Sequence, residues 1–226
     1  MEGKGAGTVG ALVLTNDVWN DVMSGVAAIP IRSPAIQPYP GAIRIRDIGW
    51  IDLPAMAHMP QGRLTQPLYK LTAQAIERTE DKLIDVLALV DLCCGDPLPP
   101  HSPAGAVTYP RWGDIYWVKG FDTGGQDKRY VVVSHDHHNA ANGRPFLVRT
   151  TSAPKRNAQD FPLVQDGAVH TCPGELQTAQ ADWVEMTKRP RPDALNVADM
   201  AATAYGLIST FQLETAIVRN GGELRD

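Results

Sequence analysis

Basic side chains are concentrated in one segment of the chain, between positions 128 and 156. The segment carries only one acidic residue, Asp136, and its basic residues are Lys128, Arg129, Arg144, Arg149, Lys155 and Arg156. Such residues bind phosphate oxygens through charge-assisted hydrogen bonds, and a single arginine can hold two of them at once. We therefore expect a phosphate-containing ligand here, although a solvated basic face would give the same pattern.

A run of histidines directly follows the apolar stretch in this segment. Positions 134–139 read SHDHHN, a composition that is common among metal ligands at strand ends. The order is not the His-x-His-x-Asp-His of metallo-hydrolases, and only His170 and Cys172 lie downstream as further ligands. We expect no metal and no other cofactor. Because histidine exchanges protons near neutral pH, His135 and His137 are secondary candidates for acid–base catalysis.

The composition of the 226-residue chain limits its partners. A net charge of −4 and an isoelectric point near 5.8 argue against coating nucleic acid through a broad basic surface. No apolar stretch approaches the roughly 20 residues that cross a bilayer, and the first ten residues do not resemble a signal peptide. Cys93 and Cys94 are adjacent, which is poor geometry for a disulfide. These features predict a cytoplasmic protein that does not contact membranes.

A segment rich in proline and glycine, residues 95–110, divides the chain into two halves and has the character of a linker. β-branched and aromatic runs predict strands at Asp114–Lys119, Tyr130–Ser134, Phe146–Arg149 and Trp183–Met186. Apolar residues at three-and-four spacing predict helices at Leu68–Val90 and Val197–Val218. Each half is thus expected to consist of strands followed by a terminal helix.

The two halves share a weak internal repeat. Ala11–Ala35 aligns without gaps on Tyr130–Pro154, and the identical pairs are Val13 with Val132, Asp17 with Asp136, Asn20 with Asn139, and Ser33 with Ser152. Matching Trp50 with Trp183 extends the alignment toward the terminal helices. A tandem duplication would explain this pattern, and chance similarity between two small β domains is the alternative.

From about Arg111 to Asn220 the sequence resembles the MazF/PemK toxin family. Positions 111–118 read RWGDIYWV, similar to the Gly-Asp-apolar-aromatic-apolar run that opens members of this family. Positions 128–134 read KRYVVVS, similar to the family's Arg-Arg-Pro-Val-Val-Val-aliphatic-Ser strand, with Tyr130 in place of the proline.

Two later motifs extend the resemblance. Thr150-Thr151-Ser152 stands where the family carries a Thr-Ser or Thr-Thr pair. Gln177 and Asp182 keep the spacing of the family's Gln-Ile-Arg-Thr-aliphatic-Asp segment, although the basic residue of that segment is missing here. The ordered set of motifs is more specific than any one of them.

The resemblance implies an α+β, mainly β fold. It would consist of two SH3-like β-barrels, each with a C-terminal helix, in a tandem repeat that forms a pseudodimer. The domains would be a degenerate copy at residues 1–94 and a second copy at 111–226. Members of the family are toxins that cleave single-stranded RNA without a metal, so the implied partners are single-stranded RNA and an antitoxin or a host protein.

The resemblance also implies roles for individual residues. Metal-free RNA cleavage uses the 2′-hydroxyl to attack its own phosphate, so the protein must orient the groups and stabilise charge on the phosphoryl oxygens. Arg129 would be the electrostatic clamp, and Thr151 would bind the phosphate or the attacking hydroxyl. The residues expected to contact RNA are Lys128, Ser152, Gln177, Arg149, Lys155 and Arg156.

Two alternatives remain at this point. The related CcdB toxins share the fold but poison DNA gyrase, so the chain could be a non-catalytic module that binds a host protein; it could also be a purely structural pseudodimer. If it is a nuclease, the first half should lack catalytic groups, because Gly10 aligns with Arg129 and Arg32 with Thr151. Gln177 falls near Arg44 when the tryptophans are matched.

Overall fold

The computed structural model describes residues 7–39, 42–67, 70–93, 109–118, 128–152, 161–163, 169–179 and 193–224. These residues form two antiparallel sheets, with helices between and after them. In the described ranges, no helix combines the length and the apolar character that crossing a membrane requires. Most of the linker, the glycine-rich loop at 124–125 and the strand expected at Trp183–Met186 lie outside these ranges.

The first half of the chain forms the first sheet. Its strands are β1 (Thr8–Val13), β2 (Gly25–Arg32), β3 (Ile43–Ile45), β4 (Gly49–Ile51) and β5 (Ala57–Pro60). The order is β1-β2-β4-β3, and β5 pairs with the first residues of β2. A short helix, α1 (Asp17–Val22), connects β1 to β2, and the Asn16 side chain caps it by accepting a hydrogen bond from the Trp19 N–H.

The second half forms the second sheet. Its strands are β6 (Asp114–Val118), β7 (Lys128–Val132), β8 (Phe146–Thr151), β9 (Phe161–Pro162), β10 (His170–Thr178) and β11 (Asp193–Ala194), in the order β11-β6-β7-β8-β10-β9. Helix α4 (Asp136–Asn142) connects β7 to β8. The strands predicted for β6, β7 and β8 are confirmed, with small shifts at their ends.

Neither sheet is a closed barrel in the described part of the chain. Closure requires hydrogen bonds between the two outermost strands. In the second sheet those strands, β11 and β9, each pair with a single neighbour, and in the first sheet β1 pairs only with β2. The fold is therefore α+β with two open antiparallel sheets, and the closed SH3-like barrels that the resemblance implies are not formed by the described strands.

Each predicted terminal helix is divided in two. The first half contains α2 (Ala73–Val86) and α3 (Leu89–Cys93), and the second contains α5 (Val197–Phe211) and α6 (Glu214–Arg219). Thr72 and Asn196 are the N-caps of α2 and α5. Ala88 (φ 52°) follows Thr72 at the same separation in the sequence as Gln212 (φ 54°) follows Asn196. Both residues adopt the left-handed conformation, which interrupts helical hydrogen bonding.

One hydrophobic core takes side chains from both halves. It includes Leu83 and Leu87 of the first half together with Leu207 and Ile217 of the second. Helix α2 packs against α6, and α3 packs against α5. If α2 corresponds to α5 and α3 to α6, these two contacts are the reciprocal pair found at a two-fold interface.

In both halves, the turn after the first strand of the repeat contains the same two side-chain hydrogen bonds. The Thr15 hydroxyl donates to Asn20 Oδ1 at 2.7 Å, and Asn20 Nδ2 donates to the Thr15 carbonyl at 3.0 Å. Ser134 and Asn139, which align with these residues, form the same two bonds. The turn between strand and helix is thus built in the same way twice.

The next residue in each half bonds to the helix of the other half. The Asn16 N–H donates to the carbonyl of Thr210, at the end of α5, at 3.1 Å. The aligned His135 N–H donates to the carbonyl of Val86, at the end of α2, at 2.7 Å. These two bonds also form a reciprocal pair between the halves.

The sheet register corrects one part of the repeat alignment. Arg32 pairs with Trp50, and the aligned Thr151 pairs with His170. By this register His170 occupies the position of Trp50. Trp183, which the sequence matched with Trp50, lies outside the described residues. A sequence match based on tryptophan could not detect this, because pairing along the sheet decides the equivalence.

The position equivalent to Gln177 changes for the same reason. Gln177 pairs with Leu147, and Ala28, which aligns with Leu147, pairs with Ala57. Ala57 is therefore the counterpart of Gln177, and the expected match with Arg44 was wrong.

Candidate nucleic-acid interface

Three adjacent strands of the second sheet bring polar side chains to one end of that sheet. Strand β7 begins with Lys128 and Arg129, β8 ends at Thr151, and β10 begins at His170. Thr151 and His170 are direct partners in the antiparallel register, and the exposed Ser152 follows. We refer to Lys128, Arg129, Thr151, Ser152 and His170 as the strand-end cluster.

Arg129 is held in place by its neighbours on both sides. Its guanidinium lies over the Trp117 ring, with Cζ 6.0 Å from the ring centroid, in a cation–π contact. The Arg129 carbonyl accepts a hydrogen bond from the Thr150 hydroxyl at 3.2 Å. Within the described ranges Arg129 takes part in no ion pair, so a carboxylate of the fold does not neutralise its charge there.

Strand alternation separates the two residues expected to be catalytic. Successive side chains point to opposite faces, and directly opposed residues share a face. Because Tyr130 is opposite Arg149, Thr151 shares the face of Tyr130, whereas Arg129 lies on the other face. Ser152 follows on the side of Arg129. The expected pair, Arg129 and Thr151, thus meets at the end of the sheet but not on one face.

The face of Thr151 carries three different functional groups at this end. Lys128 and Thr151 share this face with Tyr130, and His170 is the direct partner of Thr151. His170 Nδ1 is buried and has no hydrogen-bond partner among the described residues. An ammonium, a hydroxyl and an imidazole are thereby arranged on three neighbouring strands.

Arg149 serves a structural role. Its Nη1 lies 3.2 Å from Glu175 Oε2, and the two side chains are only 22% and 10% exposed. Burial acts to lower the pKa of Arg149, but the charge and hydrogen bond of Glu175 outweigh burial and raise it. Because this charge is compensated inside the fold, Arg149 is poorly suited to the RNA contact expected of it.

The remaining expected RNA contacts are less clustered. Gln177 is half-buried on β10, opposite Leu147 and beyond the irregularity in the β8–β10 pairing. Lys155 and Arg156 lie outside the described residues. The strand-end cluster thus retains Lys128, Arg129, Thr151 and Ser152 from the expected set.

His135 and His137 lie in a different place, beyond the opposite end of β7. Their rings are stacked with centroids 4.9 Å apart, and His135 Nδ1 accepts a hydrogen bond from the His137 N–H at 3.0 Å. Both rings line a cleft of about 740 Å³ between the halves, together with Tyr39, Asp52, Leu53, Pro54, Lys82, Asp85, Val86, His138 and Asn142. The described residues contain no group of three or more ligands suited to a metal ion.

The residue of the first half that aligns with His138 is the larger Trp19, which is fully buried. Its indole packs so closely against Gly174 that a Cβ there would lie 2.2 Å from the ring. Trp19 therefore belongs to the interior, whereas His138 lines the cleft.

The strand-end positions of the first half carry different chemistry. Gly10 aligns with Arg129, and the buried Trp50 occupies the place of His170. Arg32, which aligns with Thr151, is bound by Asp52, with Nε 2.6 Å from Oδ2. Arg44 is exposed on β3. The equivalent positions that the structure describes in the first half thus lack the combination of cation, hydroxyl and imidazole.

His170 is the cluster residue that the sequence did not single out as a catalytic candidate. Its position depends on the pairing of β10 with β8, between residues about 20 positions apart in the chain. A histidine followed by Thr171, Cys172 and Pro173 carries no signal that it will lie beside Thr151.

Comparisons with known proteins find no matching family model and no matching curated protein. Among solved structures, a mycobacterial endoribonuclease in complex with its cognate antitoxin is 18% identical, with a TM-score of 0.39, and the match covers 46% of this chain and 96% of that one. A MazE–MazF complex from Deinococcus radiodurans is 19% identical, with a TM-score of 0.35, and the match covers 45% of this chain and 93% of that one.

Proposed function

We propose that this chain is a toxin-like endoribonuclease that cleaves single-stranded RNA without a metal ion at the strand-end cluster. The observation that carries the proposal is the register that brings Lys128, Thr151 and His170 together, with Arg129 at the same end of the sheet. The motif resemblance of the second half supports the same reaction.

Each of these side chains can carry out a different part of the RNA cleavage reaction. In the reaction, the 2′-oxygen loses its proton and bonds to phosphorus, the P–O5′ bond breaks, and the 5′-oxygen gains a proton. A 2′,3′-cyclic phosphate and a 5′-hydroxyl result. Lys128, on the face of Thr151, stabilises negative charge on the phosphoryl oxygens, and Arg129 does so from the other face at the end of the sheet. Thr151 donates a hydrogen bond to one of these oxygens.

His170 is the proposed acid–base group. An imidazole exchanges protons near neutral pH, as removal of the 2′-hydroxyl proton requires. Arginine stays protonated at any working pH and is a poor base. Because His170 is the direct strand partner of Thr151, a phosphate bound by Thr151 would lie within reach of the imidazole.

The proposal includes a covalent pseudodimer with one active site. Its support is the recurrence of the Thr15–Asn20 hydrogen bonds at Ser134 and Asn139, together with the reciprocal packing of the terminal helices. Only the second half carries the proposed catalytic groups. The first half would supply part of the core, and an antitoxin would be the natural inhibitor.

The test is incubation of the purified chain with a long single-stranded RNA in EDTA, followed by mapping of the new ends. We expect cleavage at defined sites with 2′,3′-cyclic phosphate ends. Arg129→Ala and His170→Ala should each reduce the rate about 100-fold, since loss of one transition-state contact typically has an effect of this order. Arg44→Ala, which removes an exposed arginine of the first half, is the matched control. Intact RNA would reject the proposal and favour a non-catalytic binding module. Equal cleavage rates in Arg129→Ala and the parent would reject the strand-end cluster as the site of cleavage.

A further inference from the structure

Strand β1 lies at the edge of the first sheet, but its apolar sequence is typical of a strand that is covered by neighbouring segments. Among the described strands it pairs with β2 alone, whereas the aligned strand β7 lies between β6 and β8. Leu12, Val13 and Leu14 are partly exposed. The aligned residues Val131, Val132 and Val133 are all 0% exposed. The apolar character of β1 therefore suits a neighbour that the described residues do not supply.

A groove of about 200 Å³ lies beside this edge. Its walls are mostly apolar and come from β1, α2 and the end of α5, including Leu12, Leu14, Leu71, Ile76, Leu83 and Phe211. Ile76 of this groove is 43% exposed.

The equivalent place in the second half is filled by the chain itself. There the Gly113 N–H donates to the Val132 carbonyl at 2.7 Å, and the Gly113 carbonyl accepts from the Leu195 N–H at 2.9 Å. Met200 stands at the same position after its helix cap Asn196 as Ile76 does after Thr72. It lies against Gly113 and is only 8% exposed.

In the second half, a tryptophan anchors the segment that fills the equivalent place. Trp112 is 1% exposed, and its Nε1 donates to the carbonyl of Leu87 at 3.0 Å. Leu87 is the counterpart of Phe211, which lines the groove of the first half. The occupied copy thus defines what fits the groove: an extended strand with a large aromatic side chain just before a glycine.

We propose that the groove beside β1 binds an extended segment of a partner protein, which pairs antiparallel with β1 and inserts an aromatic side chain. Strand addition at an open sheet edge gives affinity through the main chain, and the pocket gives specificity. The inference rests on the edge and groove of the first half and is independent of RNA cleavage.

The probe for this site is a capped synthetic peptide, RWGDIYWV, which copies positions 111–118. Its binding to the full chain is measured by fluorescence anisotropy, and amide hydrogen exchange of β1 is followed with and without peptide. We expect saturable binding, slower exchange of β1 amides, and at least tenfold weaker binding when the first tryptophan of the peptide is replaced by alanine.

Two matched variants locate the site. Ile76→Glu places a charge in the groove at a partly exposed position and should weaken peptide binding at least tenfold. Val218→Glu changes an exposed apolar residue of α6 and should leave binding unchanged. Absence of binding, or equal binding by the parent and Ile76→Glu, would overturn the proposal. Self-association of the parent that Ile76→Glu abolishes would assign the groove to a second copy and overturn it as well.

Discussion

His138 is a half-buried side chain whose surroundings favour the neutral form. Its ring stacks on Phe146 with centroids 5.0 Å apart, and its Nδ1 lies 3.1 Å from the Asn142 side-chain nitrogen. Nε2 is buried without a hydrogen-bond partner among the described residues. Burial lowers the pKa of His138, and it also lowers that of His58.

These two histidines predict a loss of stability in mild acid. A histidine in the unfolded chain takes up a proton near pH 6.5, whereas these two half-buried histidines stay neutral to lower pH because their pKa values are lowered. The unfolded state thus binds more protons in this window, so the free energy of unfolding should fall as pH decreases below about 6.5. Urea unfolding at pH 7.5, 6.5 and 5.5 measures the slope.

A single substitution assigns part of that slope to His138. His138→Phe keeps an aromatic ring against Phe146 and removes the titrating group, so its free energy of unfolding should depend less on pH than that of the parent. Identical slopes in the two proteins would show that His138 does not contribute.

The sequence pattern predicted strands β6, β7 and β8 of the second sheet better than it predicted the helices. The runs that form β6, β7 and β8 are rich in β-branched and aromatic residues, and their local preference agrees with the fold. The helix breaks at Ala88 and Gln212 were missed because left-handed positions are usually marked by glycine. In the candidate site, Arg129 and Thr151 could be identified from motifs, but their opposite faces and the nearness of His170 depend on long-range pairing.

The strand-to-helix turns offer a matched pair of mutations. Asn139 is 0% exposed and bonds to Ser134 and to the carbonyl of Pro110, whereas Asn20 bonds to Thr15 at a more accessible site. Asn139→Ala should reduce the free energy of unfolding by about 1–3 kcal/mol, because it leaves buried polar groups unpaired. Asn20→Ala should have a smaller effect. Equal stability of Asn139→Ala and the parent in denaturant titrations would contradict this role.

At the scale of the whole molecule, the two halves are joined by more than the chain. Side chains of both halves form one core. Arg219 of α6 reaches Asp81 of α2, with Nη2 2.6 Å from Oδ1, and the His135 N–H donates to the Val86 carbonyl. The stability of each half therefore depends on the other.

This shared core predicts a single cooperative unfolding transition. Tryptophan fluorescence reports on both halves, since Trp19 and Trp50 lie in the first and Trp112 in the second, and far-ultraviolet circular dichroism reports on the helices. The two probes should give the same midpoint in urea. Two separate transitions would show that the halves fold as independent units.

We propose that RNA is cleaved at one site, in the second half. The most direct test of this proposal is the single-turnover cleavage rate with saturating protein and one defined RNA, after circular dichroism has shown that each variant is folded. Arg129→Ala combined with Thr151→Ala should reduce the rate at least about 100-fold. Arg32→Ala combined with Arg44→Ala, which changes the first half, should leave the chemical step near that of the parent. Loss of cleavage in the double variant of Arg32 and Arg44, with the double variant of Arg129 and Thr151 as active as the parent, would contradict an active site in the second half.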